Sequence, residues 1–265
     1  MIRTVKYGTL EYLTAEGISV PHCFTTRLGG VSIGIFESMN IGMHRGDKPE
    51  NVAENYAILA KALGFELKNL VLTRQIHSDI VRVVTPWDAC GIDHRQYPES
   101  DALITGEPGT ALAVFTADCT PILLHDPVTG AVGAVHAGWR GTAADIAGKT
   151  VKAMETAFGC DPKEIRAAIG PNIGQCCFAC DADVPQAMET LLGKSAWEAV
   201  QARDGKYYVN LKEINARLLQ RAGVDHIEIS ESCTMCEHDR FWSHRYTGGD
   251  RGSQGAIIVC KGGTL

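Results

Sequence analysis

The chain has no apolar run long enough to cross a bilayer as a helix, and residues 1–13 lack the basic start and apolar stretch of a secretory signal. It also lacks an excess of positive charge: the formal net charge of -6 argues against non-specific binding to nucleic acid. No G-x-G-x-x-G turn joins a strand to a helix, and no segment repeats, so a Rossmann fold and a solenoid are both excluded. His-x-His pairs are absent as well, and with them the clustered ligands of multicopper enzymes. A cytoplasmic protein is expected, neither binding nucleic acid nor entering a membrane. Its 10 cysteines should then stay reduced and serve as metal ligands or as buried small hydrophobes.

What is present fits one large domain over residues 1–265, with an ordinary 45% hydrophobic and 21% charged composition. Asp47-Lys48-Pro49-Glu50 opens a helix capped by Asp47, carried on by Val52, Tyr56, Leu59 and Leu63 and ended by Gly64. Residues 71–84, 111–115, 121–124 and 131–136 read as strands. A helix follows His136, with Ile146, Thr150, Met154 and Phe158 on one face, and residues 207–209, 211–222, 226–229 and 256–260 read as strand, helix, strand and strand.

Within this pattern His77, Cys119 and His136 fall in or at the ends of strand-like runs. Two imidazoles and a thiol are a zinc-type ligand set, and three protein ligands with a fourth position left for water or substrate mark a catalytic site. Each residue also has a plainer use, since a histidine in a strand commonly serves packing or a hydrogen bond. Gly138-Trp139-Arg140-Gly141-Thr142 starts a helix beside the proposed ligands, where free amides, the helix dipole and Arg140 could hold an anion. Arg140 could equally lie on a solvated helix start, and Trp139 could be core or a stacking platform. A rival metal site is offered by the C-x-x-C spacings of Cys177 with Cys180 and Cys233 with Cys236, beside Cys176, although these cysteines are read as mainly structural.

Seven stretches in order carry a resemblance: Thr25-Thr26-Arg27 with Gly29-Gly30-Val31-Ser32, Met39-Asn40-Ile41-Gly42, Gln75-Ile76-His77, Ser100-Asp101-Ala102-Leu103, Thr116-Ala117-Asp118-Cys119, Val135 through Thr142, and Ile169-Gly170-Pro171. They resemble the YfiH family, also labelled the multicopper polyphenol oxidase (laccase) family and described as purine nucleoside phosphorylases. Cys233-Thr234 and Ser243-His244-Arg245 look like the same family's ending. The resemblance implies an α+β single domain with mixed β-sheets sandwiched between helices, and zinc, less readily copper, on His77, Cys119 and His136. It implies phosphorolysis of adenosine, inosine, guanosine and S-methyl-5'-thioadenosine, with adenosine deaminase activity besides, by a monomer or homodimer. Cys119, His77, His136 and Asp118 are then the catalytic candidates, and Arg27, Ser32, Asn40, Gln75 and Arg140 the candidates for substrate contacts. Asn55 is followed by Tyr56 where the family usually has Asn-Arg, and Cys180 stands at a usually aliphatic position.

Asp118 or Asp101 could carry protons during deamination, while arginine and backbone amides could hold the phosphate that attacks C1′. Two other classes compete. Cys119 with a histidine base would suit a cysteine-dependent amide hydrolase, for example one that edits peptidoglycan precursors. The old family label suggests a copper-dependent polyphenol oxidase.

Overall fold

Ala111–Thr116, Thr120–His125, Val132–Ala137 and Gln254–Val259 are buried almost without a break, and such strands need cover on both faces. The computed structural model, which describes residues 1–92 and 97–263, provides that cover with two six-stranded sheets stacked against each other and helices outside them. In chain order the first half comprises β1 (Ile2–Tyr7), β2 (Leu10–Ala15), β3 (His22–Thr25), α1 (Pro49–Leu63), β4 (Leu70–Val71), β5 (Val81–Val83), β6 (Ala102–Thr105), β7 (Ala111–Thr116), β8 (Thr120–His125) and β9 (Val132–Ala137). The second half comprises α2 (Trp139–Ala143), α3 (Ile146–Phe158), β10 (Arg166–Ile169), β11 (Ala179–Cys180), α4 (Asp183–Leu192), β12 (Val200–Arg203), β13 (Lys206–Val209), α5 (Leu211–Arg221), β14 (His226–Ile229), α6 (His244–Thr247) and β15 (Gln254–Val259).

The first sheet has the order β1-β2-β3-β15-β7-β4, the second β14-β10-β8-β9-β6-β5, and β11-β13-β12 form a small third sheet. Both large sheets are mixed: antiparallel in the middle, with β4 on β7, β5 on β6 and β14 on β10 running parallel. Leu112, Val114 and Ile258 of the first sheet meet Leu103, Leu123 and Ala134 of the second in one buried cluster. Alternate residues of the second sheet, Ile104, Ile122, Leu124 and Val135, face the opposite way and are covered by Val151 and Met154 of α3 and Ile214 and Leu218 of α5. On the far side of the first sheet, Val52, Tyr56 and Leu59 of α1 cover Leu70, Ala113 and Ile257. Each fully buried Val, Leu, Ile or Met among these contributes roughly 1.5–3 kcal/mol through the hydrophobic effect. The α+β class with mixed sheets between helices is therefore the fold.

Three local expectations are corrected. Asp47 does not cap α1, whose N-cap is Lys48; its carboxylate instead accepts bonds from Ser32 Oγ (2.6 Å) and Asn40 Nδ2 (2.9 Å), as well as from the Lys48 amide (2.8 Å). Residues 71–84 are not one strand, because the chain leaves the first sheet after β4 and joins the second at β5. The helix after His136 is two, broken where Asp145 adopts a left-handed φ of 61° and caps α3 through the Gly148 amide.

The split strand matters for function. Residues 72–80 cross from one sheet to the other, and so do residues 117–119 between β7 and β8. His77 and Cys119 sit on these two crossings, with their side chains 3.8 Å apart.

Candidate metal and active site

The fully buried carboxylate of Asp101, just before β6, organises the site. It accepts bonds from the amides of Ile76 (3.2 Å), His77 (3.1 Å) and Ser78 (2.7 Å) and from the Ser78 hydroxyl (2.6 Å). These bonds hold the crossing in a tight turn with His77 at a φ of 60°, a conformation that a strand-like sequence does not reveal. His136 Nδ1 adds a fifth bond at 2.7 Å. Burial alone would push the Asp101 carboxyl up, but the bonds from His136 and Ser78 outweigh it and hold it down at about 2. Since Nδ1 faces the carboxylate, the neutral ring of His136 turns a free Nε2 lone pair inward.

Cys119 follows Asp118, which adopts a φ of 89°. The Asp118 carboxylate is fixed by the Thr234 hydroxyl (2.6 Å) and the Arg245 amide (2.7 Å). The rings of His77 and His136 meet edge to face with centroids 4.9 Å apart, and one donor atom from each of His77, Cys119 and His136 lies within 4.8 Å of the others. Gly138 makes room for them, since a Cβ there would stand 2.8 Å from His77 Cδ2 and 3.3 Å from Cys119 Sγ. A converging thiol and two imidazoles, with a carboxylate behind one ring, suit a tetrahedral cation that keeps one open position. Without a cation, burial pushes the Cys119 thiol up, but His136 outweighs it and the net shift is downward; burial likewise pushes His136 down, and Cys119 and Asp101 carry it upward. With no cation bound, these directions favour the Cys119 thiolate and the protonated ring of His136, whereas a cation on Nε2 requires the neutral ring.

The donors open into a cavity of about 860 Å³, a size suited to a small molecule. Phe115, Trp139 and Phe178 line it, as do Asp118 and the guanidinium-bearing Arg45, Arg245 and Arg251. Arg251 is 7% exposed. Its Nη1 donates to Gly252 O (2.8 Å) and Ser253 Oγ (3.3 Å), while its Nε has no partner. Burial, with Arg45 nearby, brings its pKa down to about 10.

Of the residues singled out in the sequence, His77, Cys119, His136, Asp118 and Gln75 line this cavity. The Gln75 amide clamps the backbone of Phe115 on both sides, at 2.7 and 2.6 Å, and so fixes the crossing to β7. Arg27, Ser32, Asn40 and Arg140 are not in the lining. Arg27 bonds the carbonyls of Glu37 and His238 and covers the Trp242 ring at 4.0 Å. Ser32 and Asn40 belong to a network around Asp47 and Asn55, and Asn40 Oδ1 also accepts from the amides of Gly42 and Ser253, so it ties together the two segments that carry Arg45 and Arg251. Arg140 lies exposed over the Trp139 ring at 4.2 Å. Tyr56 is fully buried, its hydroxyl donating to Ile41 O, so it supports α1 and leaves the cavity alone. Sequence reasoning missed Arg45 and Arg251; the glycines around Gly248-Gly249-Asp250-Arg251-Gly252 were the available signal of close backbone approach. The cysteines form a second group, Cys176, Cys177, Cys233 and Cys236, which leaves out Cys180.

Fold and site together define a helix-flanked double-sheet protein that gathers a His-Cys-His donor set at a cation-lined small-molecule cavity. The model of the family described as multi-copper polyphenol oxidoreductase laccase matches residues 21–261, and the chain belongs to that family. It is 41% identical over 252 residues to a purine nucleoside phosphorylase of Deinococcus radiodurans, covering 94% of this chain and 92% of that protein. It is 40% identical over 245 residues to the purine nucleoside phosphorylase YlmD of Geobacillus stearothermophilus, covering 90% of this chain and 88% of that protein. The crystal structure of the Bacillus licheniformis hypothetical protein YfiH superposes with a TM-score of 0.90 at 36% identity, covering 97% of this chain and 98% of that one. The names of the relatives support an enzyme. Among the described residues no helix is long and apolar enough to cross a membrane.

Proposed function

We propose that the cavity binds a purine nucleoside together with phosphate, and that the chain catalyses phosphorolysis of adenosine, inosine, guanosine and S-methyl-5'-thioadenosine, with adenosine deamination as a second activity. Relatives that carry the phosphorylase name support this reading. The observation that carries it is the meeting, in one cavity, of the His77-Cys119-His136 donor set and the buried, partly unpartnered guanidinium of Arg251.

His77, Cys119 and His136 would hold zinc, which when bound would supply Lewis acidity. Arg251, with Arg45 and Arg245, offers charged donors to a phosphate dianion. A phosphate oxygen forms the bond to C1′ while the bond from C1′ to the purine nitrogen breaks, and the electron pair departs with the base. Positive charge then develops on the ribose, where the Asp118 carboxylate offers the opposite sign. The apolar side chains of Phe115, Trp139 and Phe178 in the lining suit the flat base. In deamination water attacks C6 and ammonia leaves, and Asp118 is the cavity carboxylate able to move the proton. Asp101 is already saturated with five hydrogen bonds, so its part is to orient His136.

The test is to incubate zinc-loaded protein with each nucleoside, with and without phosphate, and to resolve the products. Free base and the corresponding sugar 1-phosphate (5-methylthioribose 1-phosphate from methylthioadenosine) should form only with phosphate, and inosine from adenosine in its absence. Unchanged nucleosides under both conditions reject the reading. A second reading has its own observation: Cys119, His136 and Asp101 stand in the order of a thiol hydrolase's nucleophile, base and orienting carboxylate. It requires amide cleavage by the zinc-free protein that zinc abolishes. Copper suits the donor set less well, because the chain has no His-x-His pair to complete a multicopper centre.

A further inference from the structure

The loop between β10 and β11 and the turn after β14 bring four sulfurs together. Those of Cys176, Cys177, Cys233 and Cys236 all lie within 4.8 Å of one another, in a group separate from that of His77. The Cys236 sulfur is 3.6 Å from that of Cys176 and 3.4 Å from that of Cys177. Four thiolates placed tetrahedrally at about 2.3 Å from one ion stand about 3.8 Å apart, whereas a disulfide requires about 2.05 Å. All four cysteines are free.

The backbone around them is shaped for this approach. A Cβ on Gly174 would lie 3.2 Å from the Cys176 sulfur and 3.4 Å from the Cys233 sulfur, so a larger residue there would press on both. The Gly174 amide donates to the Cys233 sulfur at 3.1 Å, and the amides of Met235 and Cys236 face the same atom, as in the tight turn of a C-x-x-C knuckle. A bridge between Asn172 and Cys233, and the bond from the Thr234 amide to Asn172 O at 2.9 Å, join the two loops beside the sulfurs. A divalent ion in four thiolates carries a net charge of about -2, and three cationic side chains bond backbone carbonyls of the same loops. Lys212 donates to Ser232 O at 2.7 Å, Arg203 to Cys176 O at 3.5 Å and Arg245 to Cys177 O at 3.4 Å.

We infer that Cys176, Cys177, Cys233 and Cys236 form a closed structural zinc site. All four coordination positions are filled by sulfur, so the ion there takes no substrate; on binding, the four thiols give up their protons. Its role is to lock the wall of the cavity. Thr234, inside the knuckle, and the Arg245 amide hold the Asp118 carboxylate, and the Arg245 side chain bonds the carbonyls of Cys177 and Ala179. Cys180 stands outside the site, because its thiol donates to Tyr207 O across the small sheet at 3.3 Å.

The experiment uses the full chain stripped of metal and titrated with cobalt(II), alongside elemental analysis of zinc in protein purified without chelator. Wild type should bind about two ions per chain, one for each group of donors. The His77→Ala chain, whose catalytic donors are disabled, should still bind one and show the sulfur-to-cobalt charge transfer and intense visible bands of a four-sulfur tetrahedral field. Cys176→Ser with Cys236→Ser should remove that spectrum and about one zinc, while Cys180→Val should keep both. Absence of the four-sulfur spectrum in the His77→Ala chain overturns the inference, and so does a freshly purified protein whose mass shows these thiols joined as disulfides. If the double serine variant fails to fold, the His77→Ala chain decides by itself. None of these outcomes depends on phosphorolysis.

Discussion

Arg251 and Arg140 carry the same charge and differ in where the fold leaves it. Arg140 is exposed on α2, where water solvates it already, whereas Arg251 is buried against the cavity with an Nε that lacks a partner. A bound phosphate therefore gains more from Arg251. Arg251→Met should slow phosphorolysis by about 2–4 kcal/mol of transition-state stabilisation, roughly 30- to 1,000-fold, and weaken the dependence on phosphate. Adenosine deamination should suffer far less, since its nucleophile is water. Arg140→Ala should stay near wild type in both. Steady-state rates over a range of phosphate concentrations check this, and the reverse pattern would move the phosphate to the start of α2.

At the scale of elements, the site is built where two connections cross between sheets and one strand end meets a helix. Gly138 joins β9 to α2 with a backbone any residue can adopt, at φ -66° and ψ 165°, so its glycine is explained by space alone. Gly138→Ala should drive a methyl into His77 and Cys119 while leaving both sheets intact. The expected result is a metal affinity roughly tenfold to hundredfold weaker, read by competition with a chelator, with little change in the unfolding midpoint of the metal-free protein. Affinity equal to wild type would mean that the crossing at residues 72–80 moves freely, against the five bonds that Asp101 makes to it and to His136.

At the scale of the whole molecule, the space between the sheets holds two imidazoles that must stay neutral. His22 accepts the Ala15 amide on Nε2 (2.8 Å) and donates from Nδ1 to Val20 O (2.7 Å), a pattern open only to the neutral ring. His125, 2% exposed with an unpartnered Nδ1, has its pKa lowered to about 4 by burial, which outweighs the opposing charge of Asp126 and is reinforced by nearby His22 and Arg166. His22 shifts in the same direction, again chiefly through burial. Below the unfolded pKa the unfolded chain binds the protons that the folded one refuses, so stability falls with pH and the loss levels off below the folded pKa. For His125 the loss between pH 7 and pH 5 should be on the order of 2 kcal/mol. Urea unfolding of wild type and His125→Gln at the two pH values measures it, and equal losses in both proteins would place the acid sensitivity elsewhere.

Whereas the class of the fold was implied by the ordered motifs shared with the family, composition and pattern determined the strand runs near residues 111–115, 121–124 and 131–136 and singled out His77, Cys119 and His136 as a zinc-type donor set, because periodicity and ligand chemistry are properties of residue types. They also determined that Gly64 ends α1. Tertiary structure alone decided that residues 71–84 break across two sheets, since the bonds that bend the chain at His77 come from Asp101, more than twenty residues away in sequence. It decided that Arg251 reaches the cavity and Arg140 does not, because exposure depends on what packs around a side chain. It decided, finally, that Cys176 joins the group of Cys177, Cys233 and Cys236 while Cys180 does not: the register of β11 against β13 aims the Cys180 thiol at Tyr207, and no local spacing encodes that register.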